Sequence, residues 1–229
     1  MTLAVKNFAI YVYALRPKFF LDCTLNMHDA VYNSSRSFDH CQNNAPDHML
    51  LGQLYYNAIS VFEFGLGEST KIAAHIGVPR YAGVDSDAEW VAKARTASGM
   101  DHFRFTFADI GATGAWGMPE DALLQNIHIN YQVASLAVES KAFDIYLVGR
   151  RYRVACACAS LLHAMSHGGD MTKVIVGLHD SDIRPFYQRH FGKVANIVHK
   201  SKKLYVYKLK SNVTEEDIFK VWQSIVDKA

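Results

Sequence analysis

An α/β fold built on a doubly wound, mainly parallel sheet, with an antiparallel hairpin at its C-terminal edge, is predicted by three observations. From Val61 onward, short apolar runs alternate with longer helix-like patterns, the rhythm of parallel strands joined by crossover helices. A glycine turn, "GLG" at 65–67, separates the first run from the first helical pattern, where such sheets bring backbone close to a ligand. Near the end the rhythm breaks: two strand-like runs are joined only by Ser201, Lys202 and Lys203, which suits a hairpin and is too short for a crossover.

The elements follow in order. Residues 1–44 show no clean period, and "NSSRSFDHCQNNAPD" is a polar, Asn- and Ser-rich stretch that reads as loop. They are expected to form an extension, irregular or partly helical, ahead of one domain over 45–229. "DHMLLGQLYYNAI" places Met49, Leu50, Leu54, Tyr55 and Ile59 near helical spacing, with Asp47 as the expected N-cap. Then come strand "SVFEF", helix "ESTKIAAHIG", strand "YAGVD", helix "DAEWVAKARTA" and strand "FRFTFAD". After a gap follow strand "FDIYLVG", helix "RVACACASLLHAMS", strand "KVIVGLHD" and helix "RPFYQRHF". The hairpin pairs "ANIVHK" with "LYVYKLK", and a last helix covers "EEDIFKVWQSIVDK", with Thr214 as N-cap and Asp217 completing a capping box.

Bulk properties bound the function. A chain of 229 residues suits a single core. Half the residues are apolar and a fifth charged, a globular composition that argues against a disordered chain or a membrane protein. A net charge of +2 gives no strong nucleic-acid signal. The apolar stretch "NFAIYVYAL" runs into Arg16, Pro17 and Lys18 and is far shorter than the roughly 20 residues that span a bilayer; no small-residue cleavage site follows it. Cys23, Cys41, Cys156 and Cys158 are too irregularly spaced for a disulfide framework or a paired zinc site, so reduced thiols and a cytoplasmic setting are expected.

The chemistry gathers at the expected strand ends. Asp85 follows Gly65 by twenty residues and closes "YAGVD", where an acid accepts hydrogen bonds from ribose hydroxyls. Asp109 and Ile110 follow the third run, an acid for an adenine amino group and an apolar side chain for its ring. The third glycine of the dinucleotide fingerprint would fall at Thr70, and that of the methyltransferase form at Ser69. Neither is glycine, so the turn alone leaves the cofactor open.

With these residues the chain resembles the class I S-adenosylmethionine-dependent methyltransferases, whose Rossmann-like sheet also has a reversed edge strand. It resembles more narrowly a bacterial-type group of methyltransferase-like proteins, through "EFGLGEST", "DSDAEWV", "ADIGATGAWGMP", "RYRVACA" and "HDSDIRPFY", over roughly residues 45 to 210. The resemblance implies S-adenosylmethionine as cofactor, held by Glu63, Gly65, Gly67, Ser69, Asp85, Ser86, Asp109 and Ile110. It implies that Glu63 recognises the methionine ammonium, often through water, which a dinucleotide enzyme has no need of. One departure bears on chemistry. Where the group's fourth strand ends in an Asp-Gly-Arg-type turn, this chain has Gly149 and Arg150. Asp144 opens that strand, five residues earlier and roughly 16 Å away, and cannot replace the acid.

Four residues at later strand ends are candidates for catalysis. Arg150 and Arg151, with Arg153, could receive a phosphate or carboxylate; His179 and Asp180 could act as base and orienter. Solvated arginines with one structural ion pair explain the first set equally well, and a structural hydrogen bond to the following turn explains the second at least as well. His163 and His167 have zinc-compatible spacing but lack the Glu of HExxH, so no metal is expected. Cys156 and Cys158 read as inert thiols in a tightly packed helix. "GATGAWGMP" reads as a flap or a surface turn. The function expected is methyl transfer to a small-molecule acceptor the sequence does not identify. The alternatives are a cofactor-binding or vestigial module without catalysis, or, disfavoured by Glu63 and the hairpin, an NAD(P)-linked oxidoreductase. Oligomeric state is left open.

Overall fold

Strands buried on both faces must be apolar at nearly every position, and those of this chain are. A computed structural model describes residues 45–112 and 129–226. It contains α1 (Ala45–Tyr56), β1 (Ser60–Phe64), α2 (Glu68–Ile76), β2 (Arg80–Asp85), α3 (Ala88–Ser98) and β3 (Arg104–Phe107). A π-helical turn (Asn130–Ala134) runs into α4 (Ser135–Ala137), followed by β4 (Ile145–Val148), α5 (Arg153–Ser166), β5 (Ile175–Leu178) and α6 (Pro185–Phe191). The hairpin strands β6 (Ala195–Lys200) and β7 (Tyr205–Leu209) precede α7 (Glu215–Ile225).

One seven-stranded sheet has the order β3-β2-β1-β4-β5-β7-β6. β3, β2, β1, β4 and β5 are parallel. β7 inserts antiparallel between β5 and β6, so the hairpin supplies the only reversed strand among those described. Alternate residues divide the core. Phe62, Phe64, Val84, Tyr146, Val148, Val176 and Leu178 face α5 and α7. Val61, Tyr81, Ile145, Leu147, Ile175 and Val206 pack with Leu51, Tyr55, Ala73 and Ala74 of α1 and α2 on the other face. The Thr214 capping box forms as expected, with Asp217 Oδ2 accepting from the Thr214 amide at 2.9 Å.

The first helix differs from its expectation. It already runs at Ala45, so Asp47 is no N-cap; its carboxylate accepts the amides of Lys203 and Leu204 at 3.1 and 3.2 Å, tying α1 to the hairpin. The buried side chains are Leu51 and Tyr55, while Met49 and Ile59 are exposed. Tertiary contacts to α2 and the sheet, not the local apolar count, decide the buried face. Residues 1–44 and most of "GATGAWGMP" lie outside the described residues. Among the described residues, no helix is long and apolar enough to cross a membrane.

Candidate functional site

The strand order reverses direction between β1 and β4, and crevices in doubly wound sheets open at the carboxyl ends of the strands at such a switch point. Hydrogen bonds continue past the strands into the turns here. The Gly65 amide donates to the Val84 carbonyl at 2.8 Å and the Gly149 amide to the Phe64 carbonyl at 2.9 Å. The exits of β2, β1 and β4 are thereby locked side by side.

Gly65 has φ +88°, a left-handed conformation that strains any side-chain-bearing residue. A Cβ at this position would run into the Arg150 side chain, which lies across the turn. Leu66 then folds over Gly83 of β2, where a Cβ would lie 2.6 Å from Leu66 Cδ2. This second close approach went unread in the sequence, although a glycine inside a strand is a standing signal for one. The Leu66 amide donates to Asp85 Oδ2 at 2.9 Å, so the acid at the end of β2 clamps the turn. Its other oxygen accepts the Asp87 amide at 3.2 Å. Burial raises the Asp85 carboxyl, against the Leu66 hydrogen bond and the nearby charges of Arg150 and Arg151, which lower it.

Glu63 is fully enclosed. Its Oε1 accepts from the Tyr55 hydroxyl at 2.7 Å; Oε2 accepts from Ser69 at 3.1 Å, Thr70 at 2.9 Å and Tyr81 at 2.7 Å. Burial pushes its pKa up and the four hydroxyls pull it back. Ser69 and Thr70, the two positions where glycine fingerprints fail, are thus the hydroxyls that satisfy a buried acid.

The remaining predicted contacts are dispersed. Ser86 is buried beside Asp85, and its hydroxyl has no partner. Asp109 is exposed, with Oδ1 accepting the Gly111 amide at 2.8 Å. Ile110 is enclosed in the core with Val84 and Phe64.

The later strand ends bring the catalytic candidates into an ion-pair chain. Arg153 bonds Asp180 Oδ2 at 2.7 Å, the Tyr187 hydroxyl at 2.7 Å and the Gly149 carbonyl at 2.9 Å. His179 Nδ1 lies 3.2 Å from Asp180 Oδ1 and its Nε2 3.8 Å from Asp47. Each imidazole nitrogen thus faces a carboxylate, Nδ1 within hydrogen-bonding reach and Nε2 beyond it. Asp180 is held down at about 2, through its His179 hydrogen bond first and the Arg153 charge. Arg150 crosses Gly65, and its guanidinium carbon stands 4.9 Å from the centre of the Trp90 ring. Arg151 is buried. Asp144 sits at the opposite sheet edge, as its position in the strand requires, accepting the amides of Ile59 and Ser60.

The other polar groups are structural. His163 is buried between the Tyr146 hydroxyl, 2.7 Å from Nδ1, and the Glu139 carbonyl, 3.2 Å from Nε2. The carbonyl can only accept, so Nε2 carries the proton; burial holds the ring at about 3. Cys156 and Cys158 are enclosed thiols whose pKa burial raises. Among the described residues no cluster of His, Cys, Asp or Glu is placed to hold a metal. A depression lined by Arg95, Thr96, Gly99, Met100, Asp101 and Phe103 lies at the entrance to β3, away from the clamped turn.

No family model matches the chain, and no curated protein does. Solved structures do. A methyltransferase-like protein from Silicibacter pomeroyi superposes with TM-score 0.64 at 20% identity, covering 79% of this chain and 94% of that one. The SAH-bound methyltransferase of Podospora anserina gives 0.50 at 9% identity, covering 92% of this chain and 89% of that one. At such identities the likeness is one of fold, and it agrees with the sheet order and the reversed β7. The chain therefore has the Rossmann-like fold of the class I S-adenosylmethionine-dependent methyltransferases.

Proposed function

We propose that the chain binds S-adenosylmethionine at the clamped turn and transfers its methyl group to a small-molecule acceptor. The observation that carries this reading is the Asp85 carboxylate, fixed at the end of β2 by the Leu66 amide 2.9 Å away, next to a glycine turn at the switch point. Ribose hydroxyls would donate to Asp85; Gly65 and Gly67 would admit the nucleoside close to backbone. Asp109 is the exposed acid available to an adenine amino group. Catalysis would rest on proximity and alignment of the acceptor with the methylsulfonium, since Asp180 is held by Arg153. Glu63 is assigned to shaping the turn.

A second reading, binding without methyl transfer, is favoured by Gly149, which leaves the end of β4 without an acid. A Cβ there would meet only ordinary contacts, the Phe64 carbonyl at 3.7 Å and that of Gly65 at 3.9 Å, so Gly149→Asp should fold. Calorimetric titration with S-adenosylmethionine, S-adenosylhomocysteine and NAD separates the readings. Heat is expected with the first two only, and Asp85→Ala should weaken binding by about 1–3 kcal/mol. Heat with NAD alone, or with none in folded protein, would sink the proposal. Production of S-adenosylhomocysteine by wild type from small-molecule pools supports transfer; production only by Gly149→Asp supports the vestigial reading.

A further inference from the structure

Three arginines follow β4, and they meet different fates. Arg153 is engaged by Asp180, Tyr187 and the Gly149 carbonyl, and Arg150 lies over the turn against Trp90. Arg151 is only 8% exposed, and its Nε and Nη1 meet no partner. The carboxylate that acts on this region is Asp85, whose two oxygens already hold the Leu66 and Asp87 amides. Two guanidinium charges thus face one carboxylate, and no ion pair closes on Arg151 among the described residues.

Two buried hydroxyls near the same strand exits are also unmet. The Tyr131 hydroxyl is fully enclosed and unpartnered, its ring 6.0 Å from Phe64 and 6.3 Å from Tyr152. The Ser86 hydroxyl is unpartnered too. Tyr131 belongs to the π-helical turn, a distortion often found at functional sites. Tyr152, next to Arg151, has φ +51°, a left-handed conformation that strains an aromatic residue and recurs at ligand sites. A water molecule can satisfy an N–H, but it does not neutralise a buried charge.

We propose that Arg151 is the receiving site for an anionic group, a carboxylate or phosphate, of the molecule that fills the cleft. The guanidinium offers such a group charge-assisted hydrogen bonds in a protected setting. The anion belongs either to the acceptor or to the amino-acid end of the cofactor. This rests on the cleft proposed above as the binding site, but the anion site can be tested apart from it.

The test compares wild type with Arg151→Met and Arg151→Lys, using S-adenosylhomocysteine, 5′-methylthioadenosine, which lacks the amino-acid end, and inorganic phosphate as probes. Removing an unpaired buried charge should leave the melting temperature of ligand-free protein unchanged or raised in Arg151→Met. Millimolar phosphate should stabilise wild type and not that variant, with partial recovery in Arg151→Lys. If the cofactor supplies the anion, Arg151→Met loses at least tenfold in S-adenosylhomocysteine affinity while 5′-methylthioadenosine is unaffected; if the acceptor does, both nucleosides bind the variant as they bind wild type and only the phosphate effect disappears. Failure of either nucleoside to bind any form would remove the cofactor reading and leave the phosphate comparison decisive. A melting temperature lowered by several degrees in Arg151→Met, or phosphate and nucleoside responses identical in all three proteins, would overturn the proposal.

Discussion

Glu63 and Arg151 are both buried charges near the same strand exits, and they differ in what meets them. Glu63 has four hydroxyl donors within 3.1 Å; the Nε and Nη1 of Arg151 have no partner. Breaking the first should therefore cost stability. Glu63→Leu leaves Tyr55, Ser69, Thr70 and Tyr81 without their acceptor, and a loss of about 3 kcal/mol or more is expected in urea unfolding. Glu63→Gln keeps an acceptor oxygen and should fold, binding S-adenosylhomocysteine within about threefold of wild type, a shift well under the 1.4 kcal/mol of a tenfold change. A tenfold loss of affinity in folded Glu63→Gln would return Glu63 to direct ligand contact. At this scale the sequence was half legible. The acids could be located from their place at strand ends, but no spacing rule shows that Ser69 and Thr70 are the partners of Glu63.

At the scale of elements, the turn between β1 and α2 is held by the end of β2 from one side and roofed by Arg150 from the other. That roof reaches Trp90 in the first turn of α3, whose N-cap is Asp87. A nucleoside entering over Gly65 must displace the Arg150 side chain, and the Trp90 environment changes with it. Addition of S-adenosylhomocysteine should accordingly alter tryptophan emission in wild type, with the change lost in Trp90→Phe; an equal change in that variant would disconnect Arg150 from ligand entry. The strands were legible because a parallel sheet buried on both faces needs continuous apolar runs, as "SVFEF" and "FDIYLVG" show. α1 was misread in its cap and its face because both are set by distant partners, the hairpin amides that Asp47 accepts and the sheet that covers Leu51 and Tyr55.

Across the whole molecule, the reversed β7 and the switch point between β1 and β4 give the sheet its methyltransferase-type order. The hairpin was readable from its three-residue link, while the strand order rests on pairings between segments far apart in sequence. The convergence of Arg150, Arg151, Tyr131 and Asp85 was not readable, since it joins β2, β4 and the π-helical turn, segments far apart in sequence. The account turns on one claim, that the turn clamped by Asp85 is a nucleoside site. A crystal structure with S-adenosylhomocysteine tests it most directly. The account predicts the ribose hydroxyls at hydrogen-bonding distance, about 2.7–3.2 Å, from the Asp85 carboxylate, with the Arg150 side chain moved off Gly65. A nucleoside bound elsewhere, or crystals grown at saturating ligand with Arg150 still lying across the turn, would contradict it.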